Sequence, residues 1–503
     1  MSAFFIVQIM SNITNINLPG FTDQLKFAAG AQLDVFGKPR FSLAKGAFES
    51  KQITSRQISL WEERLWGAIM NVSSLVGTPV VGDTITGATS GKKGVITAVA
   101  GTVLTYTTSN NDFTDTENLT IAGVGAGATA VLTNHNTGAH IEYNYYRASS
   151  YLKVGTVSGQ RVVRRTREYF PYTPKKGQVA DRTAVMGAAK ANVRQWLLYG
   201  DDLNATGFCL DGLILKIVQR SNTSGSVDTQ LKPQSEWNVD KLDGFGPSGV
   251  TLDPAKIQIF NDDLAWLAAG NGRHFFNVNG QNILVHVDQH ANQTAVAWLR
   301  TASLPISFEI ENIGTAASAT QLEQICSSVE SDGGYEPPGF EFAVGNETTR
   351  VPVTTKKCVL AVRLKNNCPD IADHPNRKTV KYIKYDISTK VEDVYFELVH
   401  VHDYDLTSGD WSPLWGDPNI GVEYSVNAVF TPMMEHEIDA GYSVAGQAGK
   451  GGTALRTGEG LSYHDRIVQN FESNKSQMFA IYCTHDGAQT ASVAATFGGK
   501  FLE

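Results

Sequence analysis

Short runs in which apolar and polar residues alternate, separated by glycine and polar turn residues, dominate the chain. Toward the carboxyl end they stand out as four segments: Val359–Lys365, Val391–Val401, Val422–Phe430 and Ser476–Cys483. A period of two residues places apolar side chains on one face of a strand, so each segment predicts a β-strand. Because such runs recur with turn signals and few segments have a helical period, the sequence predicts a mainly β protein built of antiparallel, jelly-roll-like β-sandwich domains.

One segment near the amino end has a helical rather than a strand-like period. Between Thr54 and Asn71, four apolar residues fall at helical spacing: Ile58, Trp61, Leu65 and Ile69. Thr54 or Ser55 could cap the first turn, so the pattern predicts one amphipathic helix. Residues 11–50 before it are typical of an extended arm. We therefore expect residues 1–75 to form an N-terminal arm and a helix.

Residues 76–134 are Gly-rich and contain short Val/Ile/Thr runs. The phrases GDTITGATSGKKGVI and ENLTIAGVGAGATAVL resemble each other, which indicates a small β-module made of two related halves. The glycines of its Gly-x-Gly-x-Gly stretch do not match the dinucleotide-binding pattern, and no helical period follows them. We interpret them as turn residues.

Two larger β-sandwich domains are predicted over residues 135–325 and 326–503. In the first, Asn279-Gly280 lies between apolar runs, which is the strongest short-range signal of a hairpin because both turn residues need a positive φ. In the second, residues 440–460 are Gly-rich without an apolar period and predict a long loop.

The charge composition of the chain argues against two classes of binding partner. Charged residues make up 18% of the chain, against about 25% in ordinary globular proteins, and the net charge is −8. A chain with a negative net charge does not attract nucleic acid or an anionic membrane, so we expect neither as a partner. The apolar stretch Ala3–Met10 lacks a preceding basic region and is too short to span a bilayer. Either Met1 or Met10 could be the true start.

The five cysteines are sparse and form no CxxC pair, so we expect reduced, buried thiols rather than a disulfide framework or structural zinc. Two histidines, His400 and His402, alternate along a predicted strand and share a face, with Asp403 next to them. Such a set could ligate a metal ion. Half-buried packing is the commoner use of histidines at such positions, so no metal is expected, and these three residues are the candidates if one binds.

A second histidine pair, His286 and His290, flanks Asp288 at the end of the predicted hairpin. Their spacing of four would suit a helix, whereas the surrounding residues predict a strand. No GxSxG elbow, phosphate-binding loop or reactive-cysteine motif is present. Adjacent carboxylates give no acid and base assignment without a known separation. The sequence therefore predicts a protein that is not an enzyme and has no cofactor.

An Arg-rich and aromatic segment stands out in this acidic chain. We single out four of its residues: Arg161, Arg165, Tyr169 and Tyr172. Cationic and aromatic side chains together could stack on bases or hold phosphates, but arginine and tyrosine are also enriched at protein interfaces. Because the whole chain is negative, we favour a subunit contact over nucleic-acid binding.

Over residues 135–503 the chain resembles, in six dispersed phrases, a family of virion structural proteins of large tailed phages and some large DNA viruses. The six phrases are Arg164–Gln178, Ala189–Phe208, Gln219–Thr229, Trp237–Phe260, Leu304–Asn312 and Gly333–Phe340. The resemblance implies a non-enzymatic, β-rich component of a capsid, vertex or tail. Its partners would be other virion proteins and further copies of itself, and it would assemble in the host cytoplasm into the virion.

The alternative from another class is a carbohydrate-binding or carbohydrate-cleaving receptor-binding protein on the same sandwich, with a host-surface glycan as partner. Five tryptophans could supply sugar-stacking faces: Trp237, Trp266, Trp298, Trp411 and Trp415. Exposed, coplanar rings would favour this alternative and buried rings would weaken it.

Overall fold

The chain divides into two compact units. The first comprises Met1–Thr166 and Tyr172–Glu336, and the second comprises Arg167–Pro171 and Pro337–Glu503. The computed structural model describes residues 32–33, 39–40, 45–52, 60–109, 113–172, 174, 176–331, 339–346, 349–366, 376, 378–443, 466–469, 475–485, 487 and 489–502. The finer division at residues 75, 134 and 325 remains a prediction.

The described part of the first unit consists of strands joined by turns and one short 3-10 helix, Gln234–Glu236. In chain order the strands are β1 (Gln32–Leu33), β2 (Pro39–Arg40), β3 (Lys45–Lys51), β4 (Trp61–Gly77), β5 (Thr84–Gly87), β6 (Lys93–Ala100), β7 (Val103–Thr108), β8 (Asn118–Ala122), β9 (Ala128–Gly138), β10 (His140–Asn144), β11 (Ser149–Val154), β12 (Arg161–Thr166), β13 (Gln178–Val185), β14 (Val193–Gly200), β15 (Ala205–Asp211), β16 (Ile214–Ser221), β17 (Asp228–Pro233), β18 (Gln258–Leu264), β19 (Gly272–Val278), β20 (Gln281–Asp288), β21 (Ile306–Asn312) and β22 (Thr320–Ser331).

The second unit is also built from strands, with two short 3-10 helices, Leu414–Gly416 and Pro418–Ile420. Its strands are β23 (Phe340–Gly345), β24 (Val351–Val353), β25 (Lys357–Leu364), β26 (Thr379–Lys390), β27 (Val394–Ser408), β28 (Ser412–Pro413), β29 (Val422–Ser425), β30 (Val429–Ser443), β31 (Arg466–Ile467), β32 (Met478–Thr484) and β33 (Ala491–Leu502). The prediction of a mainly β protein is confirmed. In the described part of the chain no helix has the length and apolar character needed to cross a bilayer.

Two sheets form the main body of the first unit. One has the order β17-β16-β15-β14-β21-β12-β4-β7-β6-β5-β8-β9, and the other has the order β10-β11-β22-β13-β18-β19-β20 with β3 beside β22. Phe208 of the first sheet packs against Phe260 and Phe276 of the second, at ring-centroid distances of 5.3 and 4.9 Å. Each fully buried phenylalanine contributes about 1.5–3 kcal/mol, so this aromatic cluster holds the two sheets face to face.

Part of the first sheet closes on itself. Strand β4 pairs with β7 and also with β9, so β4, β7, β6, β5, β8 and β9 form a closed ring of six antiparallel strands. Alternate residues fill its interior, among them Ile85, Leu104 and Leu132. Closure leaves these six strands without an unpaired edge over the paired stretch.

Two carboxylates fasten this ring reciprocally. Asp83, just before β5, accepts hydrogen bonds from the backbone N–H groups of Val124 and Gly125 after β8. Glu117, just before β8, accepts from the N–H groups of Thr89 and Ser90 after β5. These hydrogen bonds connect the two segments, around β5 and β8, whose sequences resemble each other.

The predicted helix is wrong over residues 61–71, where the structure has strand β4 instead. Trp61–Trp66 pairs along β12, which sets Glu63 opposite Arg164 and Glu62 opposite Arg165. Opposite charges directly across a strand pair stabilise it, and pairing with β12 overrides the helix preference of residues 62–65. Residues 53–59 lie outside the described residues, as does most of the predicted arm at 11–50.

The predicted Asn-Gly hairpin is confirmed. Asn279 and Gly280 connect β19 and β20 with φ values of 53° and 77°, and Val278 pairs with Gln281. Both turn residues lie in the left-handed region, which asparagine and glycine tolerate better than other residues. The turn therefore fixes the register of the two strands.

The second unit is a sandwich of two sheets. Strands β23-β33-β26-β31, with β24 beside β33, form one sheet, and β28-β29-β25-β32-β27-β30 form the other. Phe497 of the first stacks on Phe479 of the second at 5.5 Å, and Tyr385 packs edge-on to Phe396 at the same distance. These contacts place the core between the sheets. Of the predicted Gly-rich loop, residues 440–443 belong to β30 and the rest lie outside the described residues.

Candidate functional site

The longest strand pair of the second unit runs past its neighbour. Strands β27 and β30 pair from Val394 opposite Ser443 to Ser408 opposite Val429. Strand β32 accompanies β27 only from Tyr395 to Val401. Beyond that point Asp403–Ser408 and Val429–Met434 continue as a two-stranded segment, which we call the β-ribbon. An isolated pair of strands is marginally stable in water, so a projecting ribbon is typical of a contact element.

The β-ribbon exposes apolar side chains. Leu406, Val429 and Met433 are 42%, 51% and 48% exposed. Tyr404 lies on the same face of β27 as Leu406 and is buried against Phe430, at a ring-centroid distance of 5.6 Å. Phe430 packs in turn on Tyr482 of β32 at 5.8 Å, which anchors the ribbon to the sheet. Strand β30 pairs with β27 alone among the described strands, so its other edge presents backbone donors and acceptors.

Three histidines converge where β27, β30 and β32 meet. His400 of β27 lies opposite His436 of β30 in the strand register. His402 lies at a register shift between Val401 and Asp403, and its Nε2 is 2.8 Å from His436 Nδ1. One ring nitrogen from each of the three residues lies within 4.8 Å of the others. A β-bulge of this kind re-aims a side chain, here toward the other two rings.

The side chain of Gln477 connects two of these rings. It lies 3.2 Å from His400 Nε2 and 3.3 Å from His402 Nδ1. His400 is 1% exposed and packs on Phe479, and its Nδ1 is buried without a hydrogen-bond partner. A buried polar atom with no partner is uncommon and costs free energy, so it calls for an explanation.

Burial and nearby positive charge keep the imidazoles of His400 and His402 neutral. Burial, the neighbouring histidines and Arg167 lower the pKa of His400 well below its ordinary value. Burial and the charge of Arg167 lower the pKa of His402 to about 3. A neutral imidazole carries a lone pair on one ring nitrogen, which is the form that binds a metal ion.

The structure assigns Asp403 a place different from the one expected. Its carboxylate accepts hydrogen bonds from Lys475 Nζ at 2.6 Å and from the backbone N–H of Tyr404. It is not a member of the converging group, and His436 takes the third position. From the sequence, His436 and its acidic neighbours Glu435, Glu437 and Asp439 are expected to form a solvated loop rather than a metal site. That expectation is wrong about the loop, because His436 belongs to β30.

The second histidine pair does not converge. His286 Nε2 bonds Asp288 at 3.0 Å, whereas the ring of His290 stacks on Trp298 at 4.4 Å. Within the described residues, His400, His402 and His436 are the group of three or more potential ligands whose atoms come this close.

The four residues singled out for subunit contact lie mostly inside the chain. Arg165, Tyr169 and Tyr172 are buried. Arg161 is partly exposed, donates hydrogen bonds to Asp202 and Glu309, and packs its guanidinium on a tryptophan ring. In this structure the segment serves internal packing, and its role in subunit contact stays a prediction.

The five tryptophans differ in exposure. Trp237 and Trp298 are buried, which removes two of the proposed sugar-stacking faces. Trp266 and Trp411 are partly buried, and Trp415 is 59% exposed. The burial of two of the five weakens the carbohydrate alternative.

The chain is only weakly similar to known proteins, and the similarity is one of structure rather than of sequence. No family model and no curated protein matches the chain. Among solved structures, a Bacillus licheniformis β-glucanase is similar at 8% identity and a TM-score of 0.25, covering 44% of this chain and 94% of that chain. The CBM2 module of the evolved Dit of Lactobacillus casei BL23 phage J-1 has 8% identity and a TM-score of 0.25, with 40% and 83% covered.

A legume lectin-like domain from Entamoeba histolytica is similar at 9% identity and a TM-score of 0.23, over 39% of this chain and 89% of that chain. Several of these neighbours are named for carbohydrate binding or cleavage. Scores this low carry no argument about this chain, so its function has to be argued from its own residues.

Proposed function

We propose that the protein is a non-enzymatic structural component of a virus particle and that it assembles with further copies of itself through the β-ribbon. The observation that carries the proposal is the extension of β27 and β30 beyond β32. The resemblance of the dispersed sequence phrases to virion structural proteins supplies the setting.

The edge of β30 suits pairing with a second copy. The edge of this 15-residue strand offers backbone donors and acceptors on both sides of Pro432, which has no N–H to donate. Two identical edges that run antiparallel complement each other about a twofold axis, because each contact then occurs twice. The exposed apolar residues of the ribbon, Leu406, Val429 and Met433, would be buried by the same contact. Burial of apolar surface contributes about 25 cal/mol per Å² to such an interface.

Charged residues on this surface should prevent assembly. We expect the purified chain to form a symmetric oligomer and the Val429→Lys, Met433→Lys double variant to be monomeric, since lysine on an exposed edge opposes strand pairing. Both side chains are exposed, so the fold should persist. Light scattering measures the mass of each protein, and circular dichroism checks its strand content.

A matched control places the same substitution elsewhere. Val81→Lys with Leu213→Lys changes two exposed apolar residues of the first unit and should keep the oligomeric mass. A wild-type chain that stays monomeric at every concentration, or a ribbon variant with unchanged mass, would contradict assembly through the ribbon. Mass spectrometry of purified particles tests the virion setting separately: absence of the chain from them would overturn it.

A further inference from the structure

We propose that His400, His402 and His436 form a binding site for one divalent transition-metal ion of the Zn²⁺ class. The proposal goes beyond the structural role, because it concerns the isolated chain in any oligomeric state. It rests on the convergence of three ring nitrogens within 4.8 Å and on the buried Nδ1 of His400 that has no hydrogen-bond partner.

The donor set selects the chemical class of the ion. Imidazole nitrogens are borderline ligands that suit Zn²⁺, Co²⁺, Ni²⁺ and Cu²⁺, whereas Ca²⁺ and Mg²⁺ prefer oxygen ligands. Two nitrogens that bind Zn²⁺ at about 2.0–2.1 Å in a tetrahedral site lie roughly 3.3 Å apart. His402 Nε2 and His436 Nδ1 are 2.8 Å apart, so they need to separate by about half an ångström. Rotation of the exposed His436 ring supplies that movement.

Gln477 positions the rings from outside the site. Its Oε1 accepts from the Nε2–H of His400, which leaves the lone pair of His400 Nδ1 for the ion. Metal-ligating histidines ordinarily donate their second N–H in this way, which fixes the orientation of the ring. Its Nε2 donates to His402 Nδ1, so His402 carries its proton on Nε2 and has to move that proton to Nδ1, giving up this hydrogen bond, before Nε2 binds the ion. The buried orphan nitrogen of His400 thereby acquires a partner when the ion binds.

The surroundings give the site an entrance and limit its affinity. His400 is buried, His402 is partly exposed and His436 is exposed, so an ion can enter from the His436 side and retain water as a fourth ligand. The positive charge of Arg167, which opposes protonation of His402, also opposes a second cation. The site therefore selects its ion through coordination by imidazole nitrogens rather than by attracting cations with negative charge.

The test is metal binding by the full chain after removal of any affinity tag and treatment with a chelator. Calorimetric titration with Zn²⁺ should give one ion per chain. Co²⁺ should give the intense visible absorption of a four-coordinate site. His402→Ala and His436→Ala should each weaken binding by more than the roughly 10–100-fold loss that follows from disturbing an outer-sphere contact, and Gln477→Leu should fall within that range.

Controls separate this site from adventitious binding by other histidines. His140→Ala, a partly exposed histidine of the first unit, should leave stoichiometry and affinity unchanged. His436 is exposed, so His436→Ala keeps the fold and isolates the loss of a ligand. Zn²⁺ binding of equal strength in the wild type and in the His402→Ala, His436→Ala double variant, or no binding at all, would overturn the proposal. Neither result bears on whether the β-ribbon mediates assembly.

Discussion

A buried chain of charged hydrogen bonds joins five residues of the first unit: Arg182, Asp262, His274, Asp288 and His286. His274 Nδ1 lies 2.6 Å from an Asp262 oxygen, and its Nε2 lies 3.0 Å from Asp288. Arg182 bonds the other oxygen of Asp262, and His286 bonds the other oxygen of Asp288. Burial alone would lower the pKa of His274, but the two carboxylates raise it to about 9. Despite burial, the histidines lower the pKa of Asp288.

These shifts predict how stability depends on pH. The pKa of His274 is higher in the folded chain than its ordinary 6.5, so its contribution is fully present below about pH 6.5 and is lost as the pH rises toward about 9. The pKa of Asp288 is lowered, so its contribution is present above its ordinary range and is lost as the pH falls. We expect the thermal unfolding temperature of the first unit to decline between about pH 6.5 and 9, measured by calorimetry.

Substitution of His274 separates its contribution to this decline from that of other titrating groups. His274→Gln should flatten this alkaline decline and destabilise the chain by about 3–5 kcal/mol, since it leaves buried carboxylates without their cation. His140→Gln serves as the control, because the pKa of His140 is lowered and its titration falls below this pH range. A wild-type profile that is flat between pH 6.5 and 9 would contradict the assignment of a charged His274.

Only part of this hydrogen-bond network can be predicted from the sequence. The sequence pairs His286 with His290 and names Asp288 only as the residue between them, whereas the structure pairs His286 with Asp288. Asp262 and His274 are twelve residues apart, and they meet because β18 and β19 pair with Asp262 opposite His274. Side-chain pairs across strands depend on register and sheet order, which hydrophobic periodicity leaves open. The orphan nitrogen of His400 is hidden in the sequence for the same reason.

At the scale of elements, the closed ring of strands depends on its two reciprocal carboxylates. Glu117 uses both oxygens: one accepts from Thr89 and Ser90 N–H, and the other accepts from Thr114 N–H and the Ser90 hydroxyl. Burial would raise the pKa of Glu117, but these hydrogen bonds lower it overall. For Asp83, hydrogen bonds from Gly125 and Val80 lower the pKa. A carboxylate, rather than an amide, is therefore required at each position.

Replacing Glu117 by glutamine should loosen the ring. One oxygen becomes an amino group that faces backbone N–H donors, so Glu117→Gln should cost about 1–3 kcal/mol in the free energy of unfolding. Urea unfolding measures the change. Glu142→Gln, an exposed residue of β10 that pairs with Lys153, should change stability by less than about 1 kcal/mol. Equal stability of the Glu117→Gln variant and the wild type would show that the ring does not depend on this contact.

The sequence correctly predicts a mainly β protein, but it predicts a helix where the structure has strand β4. The alternating segments of the second unit form strands because their period matches their burial. Trp61 and Leu65, by contrast, are four residues apart, a spacing that places two side chains on one face of a helix and also on one face of a strand. The register between Leu65 and Ala68 shifts at Gly67, whose φ is +71°. After this bulge Ala68, Met70 and Val72 are buried, whereas Ile69, which belongs to the helix-like pattern, is only partly buried.

At the scale of the whole molecule, buried thiols are distributed over both units. Cys209 is buried in the first unit, and Cys358 and Cys483 are buried in the second, all without disulfides. Burial raises the pKa of Cys358 and of Cys483 to about 12 and that of Cys209 well above its ordinary value. Cys326 is partly exposed. The burial of three thiols agrees with the expectation that they act as small apolar side chains, their reduced state stays a prediction, and Cys368 lies outside the described residues.

Thiol reactivity should therefore report folding of both units at once. The attacking species in thiol modification is the thiolate, which is scarce in a buried group with a raised pKa. In a Cys368→Ser background we expect one thiol, Cys326, to react quickly with a disulfide reagent in the native chain. The other three should react only as denaturant unfolds the units that bury them. Adding Cys326→Ser should remove the fast reaction and leave the slow one unchanged, which peptide mapping of the labelled chain can verify. Rapid labelling of Cys209, Cys358 or Cys483 in native buffer would mean that the sheets around that thiol open readily, and would contradict the close packing on which both sandwiches depend.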